Sequence, residues 1–172
     1  MQLNVKQKFG ILVLCASLPW IPPALAAESD GSTVTVAQPV KTGLDLYRDA
    51  TELSDESLKD LLSQVGFKGQ ALKIAWAVAK KESNGRPKAH NDDIATGDDS
   101  YGIFQINMLG SLGTDRLEKF NLKTNKDLFD PVKNAQVAYH MSNGGQNWSA
   151  WKVYPGQNNG ERYEGFLQKF PK

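Results

Sequence analysis

The chain has 172 residues, of which 40% are hydrophobic and 23% are charged, and this balance excludes a coiled coil, a collagen-like fibre and a chain too polar to fold. The 20 lysines and arginines are nearly matched by 19 aspartates and glutamates, so the chain lacks the basic excess that grips a phosphate backbone. We therefore predict one globular domain and no nucleic-acid partner.

The first 26 residues have the pattern of an export signal. Two lysines precede an apolar run over residues 9–18, and Ala24-Leu25-Ala26 supplies the small, spaced residues that a signal peptidase accepts. An uncleaved membrane anchor is the alternative, but three prolines interrupt an apolar stretch that is already shorter than the roughly 20 residues of a span. We predict cleavage after Ala26, no stable membrane span afterwards, and a periplasmic or extracellular location at the cell wall.

Cleavage leaves a chain that is stabilised by its core alone. It removes two lysines and no acids, so 18 basic and 19 acidic residues remain, and it removes Cys15, the only cysteine. A chain of this size buries roughly 70% of its extended surface, which is enough without a disulfide. Residues 27–45 are rich in small and polar residues without a helical period, so we predict a flexible segment there and a folded domain over residues 46–172.

The domain is predicted to be α+β and mostly helical. Ser54 is a candidate cap for a first helix that ends at Gly66 and places leucines on one face. A strongly apolar run from Gln70 predicts a central helix, with Trp76 in the core and Gly85 as its left-handed cap. Further helices are predicted over residues 113–120, 131–141 and 160–170.

A small β element is predicted between the central helix and the later helices. Residues 90–100 are rich in aspartate and asparagine, and this composition predicts an exposed loop. Residues 101–107 alternate loosely, as in a short strand or the edge of a hairpin.

Glu82 is the candidate catalytic residue because it lies in the last turn of the predicted central helix. A carboxyl group there faces the partial negative charge of unpaired carbonyls, and apolar neighbours also disfavour its ionised form. A glutamate that stays protonated is what a general acid needs to protonate a glycosidic oxygen. The plain alternative is a solvated residue beside Lys80 and Lys81.

Two downstream segments favour the catalytic interpretation of Glu82 over the solvated one. They are Ser100-Tyr101-Gly102-Ile103-Phe104-Gln105-Ile106-Asn107 and Trp148-Ser149-Ala150-Trp151. With Glu82-Ser83 and the Asn134-Ala135 helix, this ordered set resembles the lysozyme-like superfamily over about residues 72–156. The likeness is closest to the soluble-type lytic transglycosylases, with local similarity to the animal-type lysozymes.

The resemblance implies a lysozyme-like fold in which a central helix carries the catalytic acid, Glu82. It also implies substrate binding by residues of the β element, with amide side chains that hydrogen-bond N-acetyl groups, and by an aromatic wall beside the acid. Trp148 is assigned to that wall, whereas Trp151 is either wall or core. Tyr154 is the candidate for a tyrosine that contacts the acid, with Tyr139 as its rival. The predicted substrate-binding residues are Ser100, Tyr101, Gln105, Asn107, Trp148 and Tyr154.

The mechanism depends on what replaces a second carboxylate. Animal-type lysozymes have an aspartate where this chain has Ser100, and hydrolysis by either stereochemical route uses a pair of carboxyl groups. The resemblance therefore favours a lytic transglycosylase, in which one glutamate cleaves between N-acetylmuramic acid and N-acetylglucosamine and leaves a 1,6-anhydro product. A muramidase that pairs Glu82 with Asp98 or Asp99 stays open, as does a non-catalytic scaffold that binds glycan.

No cofactor and no metal site is predicted. The aspartates of the 90–100 segment lack the alternating spacing and the bidentate glutamate of an EF-hand loop. The predicted partner is the glycan strand of peptidoglycan. An envelope-spanning secretion, conjugation or phage apparatus is a further candidate partner for a small enzyme that opens local gaps.

Overall fold

The computed structural model describes residues 43–153 and 161–172, with side chains from residue 163 onward in the second range. Within these residues it contains five α-helices, a three-stranded antiparallel sheet and short 3-10 helices, which confirms the predicted α+β, mostly helical class. The helices are α1 (Asp55–Val65), α2 (Gly69–Ser83), α3 (Ser111–Lys119), α4 (Pro131–Met141) and α5 (Glu161–Gln168). The strands are β1 (His90–Asn91), β2 (Ser100–Tyr101) and β3 (Ile106–Asn107).

Local signals at the ends of α1 and α4 define their bounds. The Ser54 side chain accepts a hydrogen bond from the Ser57 backbone N–H at 3.1 Å, and Gly66 ends α1 with a positive φ of 130°. The Asp130 carboxylate accepts the Val132 N–H at the start of α4, where Pro131 needs no hydrogen-bond partner. Both helices lie where the sequence predicted them.

Helix α2 runs through the middle of the core. Its residues 75–79 are buried, and Trp76 is 0% exposed, which confirms the prediction that this indole belongs to the core. Trp76 Nε1 donates to the Asp55 backbone carbonyl at 3.1 Å, and Phe170 packs edge-on against its ring. The helix ends one residue earlier than predicted, because Asn84 takes the left-handed conformation at the cap.

The sheet corrects the prediction of an exposed loop over residues 90–100. Strand β1 pairs with β2, and β2 pairs with β3, through two residues each, with Tyr101 opposite both His90 and Ile106. The 90–97 stretch is indeed exposed, but its first residues belong to the sheet and Ser100 is buried. Strands of two residues are too short for the alternation by which strands are recognised in a sequence.

Several predictions fall wholly or partly outside the described residues. The export signal at 1–26 and Tyr154 lie outside them, as does most of the 27–45 segment. The last residues of that segment are described, and they belong to a 3-10 helix at Gly43–Leu46 that runs across the predicted boundary at residue 46. No helix in the described residues is long and apolar enough to cross a membrane.

Candidate active site

The end of α2 is joined directly to the hairpin between β2 and β3. Ser83, the residue after Glu82, is buried, and its hydroxyl donates to the Ile103 backbone carbonyl at 2.8 Å. Arg86 Nε donates to the Ser83 carbonyl at 2.9 Å and holds the chain that leaves the helix. The Glu82-Ser83 pair therefore combines a carboxyl group with the contact that fixes its position relative to the sheet.

Two more side chains hold the same hairpin from other elements. Asn134, fully buried on α4, accepts the Phe104 N–H at 2.9 Å and donates to the carbonyls of Tyr101 and Leu128. Trp151 Nε1 donates to the Phe104 carbonyl at 2.8 Å. The hairpin backbone is thus bound by three separate parts of the chain, which fixes the position of its two strands.

Gly102 is required at the start of this hairpin turn. Its φ is +74°, and a Cβ added there would lie 2.3 Å from both Asn134 Nδ2 and the Leu128 carbonyl oxygen. A side chain at this position would therefore strain the backbone and displace the asparagine that holds the turn.

Glu82, the end of α2 and the sheet line a groove with a volume of about 440 Å³. The Glu82 side chain is 23% exposed, and its Oε1 accepts a hydrogen bond from Lys81 Nζ at 2.9 Å. Ser100, Gln105 and Asn107 of the predicted set also line this groove. Asp98, the candidate second carboxylate of a muramidase, and Trp151, which was left open between wall and core, also line it. Three positions to which the prediction gave no role complete much of the wall: Asn91, Arg116 and Lys152.

Gln105 and Asn107 line the groove while their amide groups bind the protein backbone. Gln105 Nε2 donates to the carbonyls of Gly102 and Ala89, and the residue itself has a left-handed φ of 47°. Asn107 Nδ2 donates to the Gly97 carbonyl at 2.9 Å, and its Oδ1 accepts the Leu109 N–H at 2.9 Å. Both residues therefore shape the groove, and their contacts with N-acetyl groups stay predictions.

The structure places Tyr101 and Trp148 in the core rather than among the groove-lining side chains. Trp148 is 2% exposed, donates to the Gly145 carbonyl and stacks near Phe67, whereas Trp151 supplies the indole on the groove wall. The indole on the groove wall is therefore that of Trp151 and not, as predicted, that of Trp148. Spacing in the sequence does not tell which of two nearby indoles faces the groove.

Tyr101 stacks on the His90 ring at 4.3 Å. Burial, and then a hydrogen bond with Asp99, raise the pKa of its phenol above the usual value, so this group stays neutral at physiological pH. Tyr139, the rival for contact with the acid, packs edge-on against Phe67 and is not among the groove-lining residues.

The two aspartates that precede Ser100 have different surroundings. Asp98 lines the groove, and its carboxylate accepts hydrogen bonds from the Ser100 hydroxyl and from Asn91 Nδ2. Asp99 instead pairs with His90 Nε2 at 2.9 Å and lies within 3.5 Å of Asn125 Nδ2. Of the two, Asp98 is the carboxylate that shares the groove with Glu82.

Arg116 and Trp151 are the groove residues of greatest chemical interest that the prediction did not assign to substrate binding. Trp151 was left open between wall and core, and it serves both, since it is only 7% exposed and still lines the groove. Arg116 comes from α3, which carries no motif of its own, so no signal in the sequence marked it. Tertiary packing brings both to the groove that Glu82 lines.

The mostly helical fold, with a glutamate ending the central helix at a groove beside a small antiparallel sheet, defines a lysozyme-like protein. The chain belongs to the lysozyme-like domain family, whose model matches residues 59–153 and so spans more than half of the chain. This is a family of peptidoglycan-acting glycosidases, which implies peptidoglycan as the substrate, and the match also supports a domain of the lytic transglycosylase type. No curated protein and no solved structure is significantly similar to the chain.

Proposed function

We propose that this protein is an exported lytic transglycosylase that cleaves the β-1,4 bond between N-acetylmuramic acid and N-acetylglucosamine. The observation that carries the proposal is the position of Glu82, which lies in the last turn of the central helix and lines a groove large enough for sugar rings. The family membership supports a glycosidase, and Glu82 is the carboxyl group of α2 in that groove.

In the proposed reaction Glu82 acts first as an acid and then as a base. Its protonated carboxyl group gives a proton to the glycosidic oxygen, and the bond from that oxygen to C1 of N-acetylmuramic acid breaks. The resulting carboxylate then takes the proton of the C6 hydroxyl of the same sugar, whose oxygen bonds to C1 and closes the 1,6-anhydro ring. The nucleophile belongs to the substrate, so it needs no water and gains the advantage of proximity.

Lys81 forms an ion pair with Glu82 in the free protein, with its Nζ 2.9 Å from the carboxyl oxygen. We expect this contact to open before Glu82 acts as an acid, and the lysine side chain is 27% exposed and has the length to move aside when a sugar enters.

The environment of Ser100 and Asp98 supports a mechanism with one carboxylate. Ser100 provides a hydroxyl at the place of the second carboxylate, and that hydroxyl is bonded to Asp98. Asp98 also accepts a hydrogen bond from Asn91 Nδ2, so each of its carboxylate oxygens has a partner in the protein. This arrangement suits a structural acceptor that holds β1 and β2 together.

A muramidase is the second candidate, because Asp98 lines the same groove as Glu82. In that case Asp98 would act as the second carboxylate of a hydrolase. Asp98→Asn separates the two mechanisms. A transglycosylase keeps most of its activity, since the asparagine carbonyl still accepts from Ser100, whereas a muramidase loses activity by orders of magnitude.

Glu82→Gln tests the proposal as a whole. The amide keeps the shape of the side chain but neither gives nor takes the proton, so we expect cleavage of purified peptidoglycan to fall by about 10²- to 10⁴-fold. Glycan binding should persist. Glu118→Gln, an exposed glutamate on α3, is the matched control and should cleave like the unaltered protein.

The outcomes separate enzyme from scaffold. Cleavage by Glu82→Gln at the unaltered rate would remove Glu82 from the proposed role. Binding without cleavage by the unaltered protein itself would favour the non-catalytic glycan-binding scaffold.

Export is part of the proposal. Residues 1–26 carry the signal pattern, and the substrate of the family lies outside the cytoplasm. We expect the mature protein to begin at Ala27, which N-terminal sequencing of the protein recovered from the periplasm or medium would check. A recovered protein that still begins at Met1 would contradict cleavage after Ala26. A partnership with an envelope-spanning apparatus remains a proposal that cross-linking in cells would address.

A further inference from the structure

Arg116 reaches the groove from α3, on the side of strand β3. Its Nη1 donates to the backbone carbonyl of Asn107, and the side chain is part-buried and lines the groove. Asn107 itself is held at both of its side-chain amide atoms, by Gly97 and Leu109. The guanidinium is therefore anchored to strand β3 while it lines the groove that a glycan would enter.

The charge of Arg116 is not balanced by an acid in the described part of the chain. No carboxylate in residues 43–153 or 163–172 forms an ion pair with it. Of the other charged residues that line the groove, Lys152 is exposed to solvent, whereas Lys81, Glu82 and Asp98 have partners in the protein. Lys81 pairs with Glu82 at 2.9 Å, and Asp98 is bonded to Asn91 and Ser100. Burial lowers the pKa of the Arg116 guanidinium below its usual value, which reflects the cost of holding this charge away from water.

A part-buried arginine without an acidic partner is a good receptor for an anion. Its planar guanidinium matches a carboxylate, and a bond between two charged groups is about twice as strong as a neutral one. The amide, hydroxyl and indole groups of the groove bind the neutral parts of a sugar, and its other two cations are a lysine paired with Glu82 and the exposed Lys152. Arg116 is thus the groove cation best suited to recognise a negatively charged substituent, because it is part-buried and held by the Asn107 carbonyl, whereas Lys152 is exposed.

We propose that Arg116 binds a carboxylate carried by the muramic acid residue of the substrate, and so makes the groove selective for acid-bearing glycan over a neutral β-1,4-linked N-acetylglucosamine polymer. This inference rests on the proposed glycan substrate, but it concerns binding and not the cleavage step. The carboxylate is either that of the lactyl group, in glycan without peptides, or one of the attached peptide, where the lactyl group is an amide.

The test is a double-mutant cycle between Arg116 and the carboxylate. Binding is measured by calorimetry in the Glu82→Gln background, so that no cleavage occurs, with a peptide-free muramic acid-containing tetrasaccharide and with its methyl ester. A parallel pair uses the peptide-bearing tetrasaccharide and its ester. Arg116→Gln removes the charge, Arg116→Lys keeps it, and Lys119→Gln removes an exposed cation from the same helix as the control.

We expect the unaltered Arg116 protein to bind the acid about tenfold more tightly than the ester, as for a charge-assisted hydrogen bond. Arg116→Gln should lose that preference, Arg116→Lys should keep part of it, and Lys119→Gln should keep all of it. The pair that shows the effect identifies the lactyl or the peptide carboxylate.

Two outcomes would overturn the inference. One is an acid-to-ester ratio near one in both pairs for the unaltered Arg116 protein. The other is an equal loss of acid and ester binding in Arg116→Gln, which would make Arg116 a support for Asn107 only. Neither outcome depends on whether the protein forms anhydro products, so a failure of the proposed reaction is seen separately.

Discussion

Helix α2 and the three-stranded sheet meet at the groove, but they are stabilised in different ways. The helix buries an apolar stretch of residues 75–79 around Trp76, whereas each strand has only two residues and is held by side-chain hydrogen bonds from elsewhere. Ser83, Asn134 and Trp151 supply the bonds to the hairpin. Glu82 therefore lies on a helix that apolar packing stabilises, whereas the groove wall formed by the sheet depends on a few polar contacts.

Substitutions in the core and substitutions in the hairpin contacts should therefore have different effects on stability and activity. A change in the apolar core should lower the free energy of unfolding and leave the activity of each folded molecule intact. A change in the polar contacts of the hairpin should alter the groove, so that activity falls by more than the loss of folded protein explains.

The largest effect on stability is expected for Trp76→Ala. The substitution leaves a cavity beside Phe170 and removes the bond to the Asp55 carbonyl, so we expect a loss of about 3–5 kcal/mol in the free energy of unfolding. Urea unfolding measures the loss, and cleavage per folded molecule should be unchanged. A fall in that specific activity would contradict the separation between core and groove.

A slightly smaller loss is expected for Asn134→Ala, with a clear effect on activity. The substitution leaves the Phe104 N–H and the Tyr101 and Leu128 carbonyls without a hydrogen-bond partner. We expect these three unpaired groups together to lower the free energy of unfolding by about 3 kcal/mol. Because these groups belong to the hairpin and the turn beside it, cleavage per folded molecule should also fall. Stability loss alone would show that the hairpin keeps its position without Asn134.

Ser83→Ala should cost about 1–2 kcal/mol in stability, because the Ile103 carbonyl loses its donor. Specific activity should fall, since this bond joins the end of α2 to the hairpin. Ser142→Ala is the matched control, a buried serine whose hydroxyl accepts the Gly145 N–H and does not line the groove. We expect a similar loss of stability there and full specific activity. Equal activities in the two variants would argue against the proposed role of Ser83.

The smallest effect is expected at Asp127, which lies outside both regions. Bonds from the Lys123 N–H and from Lys133 hold the pKa of this carboxyl below its usual value near 3.8. The ionised form therefore stabilises the fold above that value, and the contribution is lost as the pH falls through the lowered pKa of the folded state.

We expect Asp127→Asn to reduce the free energy of unfolding by about 1 kcal/mol at pH 7. The difference from the unaltered protein should shrink below about pH 4. Denaturant unfolding across this pH range measures it, and a difference that grew on acidification would contradict the assignment.

The sequence predicted those parts of the fold that local chemistry determines. Helix α4 has the predicted bounds because Asp130 and Pro131 define its start within a single turn. The strands were not predicted in detail, since their pairing depends on Ser83, Asn134 and Trp151, which are distant from them along the chain. Their two-residue length also leaves no pattern to recognise.

The same distinction holds for the candidate site. The groove position of Glu82 was predictable because a glutamate in the last turn of an apolar helix is a local feature, and its catalytic role stays a prediction. Arg116 was missed because only the packing of α3 against β3 brings it to the groove. The aromatic wall was assigned to Trp148 rather than Trp151 because both indoles lie in one short segment, where spacing does not tell which of them faces the groove. Residues that a tertiary contact places, rather than a motif, need the structure.

The most direct measurement is the mass of the products released from purified peptidoglycan. We expect muropeptides that end in 1,6-anhydro-N-acetylmuramic acid, each lighter by one water than the product of hydrolysis. Glu82→Gln should release these products only at a residual rate. Products with a free reducing end would contradict the one-carboxylate mechanism and would make Asp98 the second catalytic carboxylate.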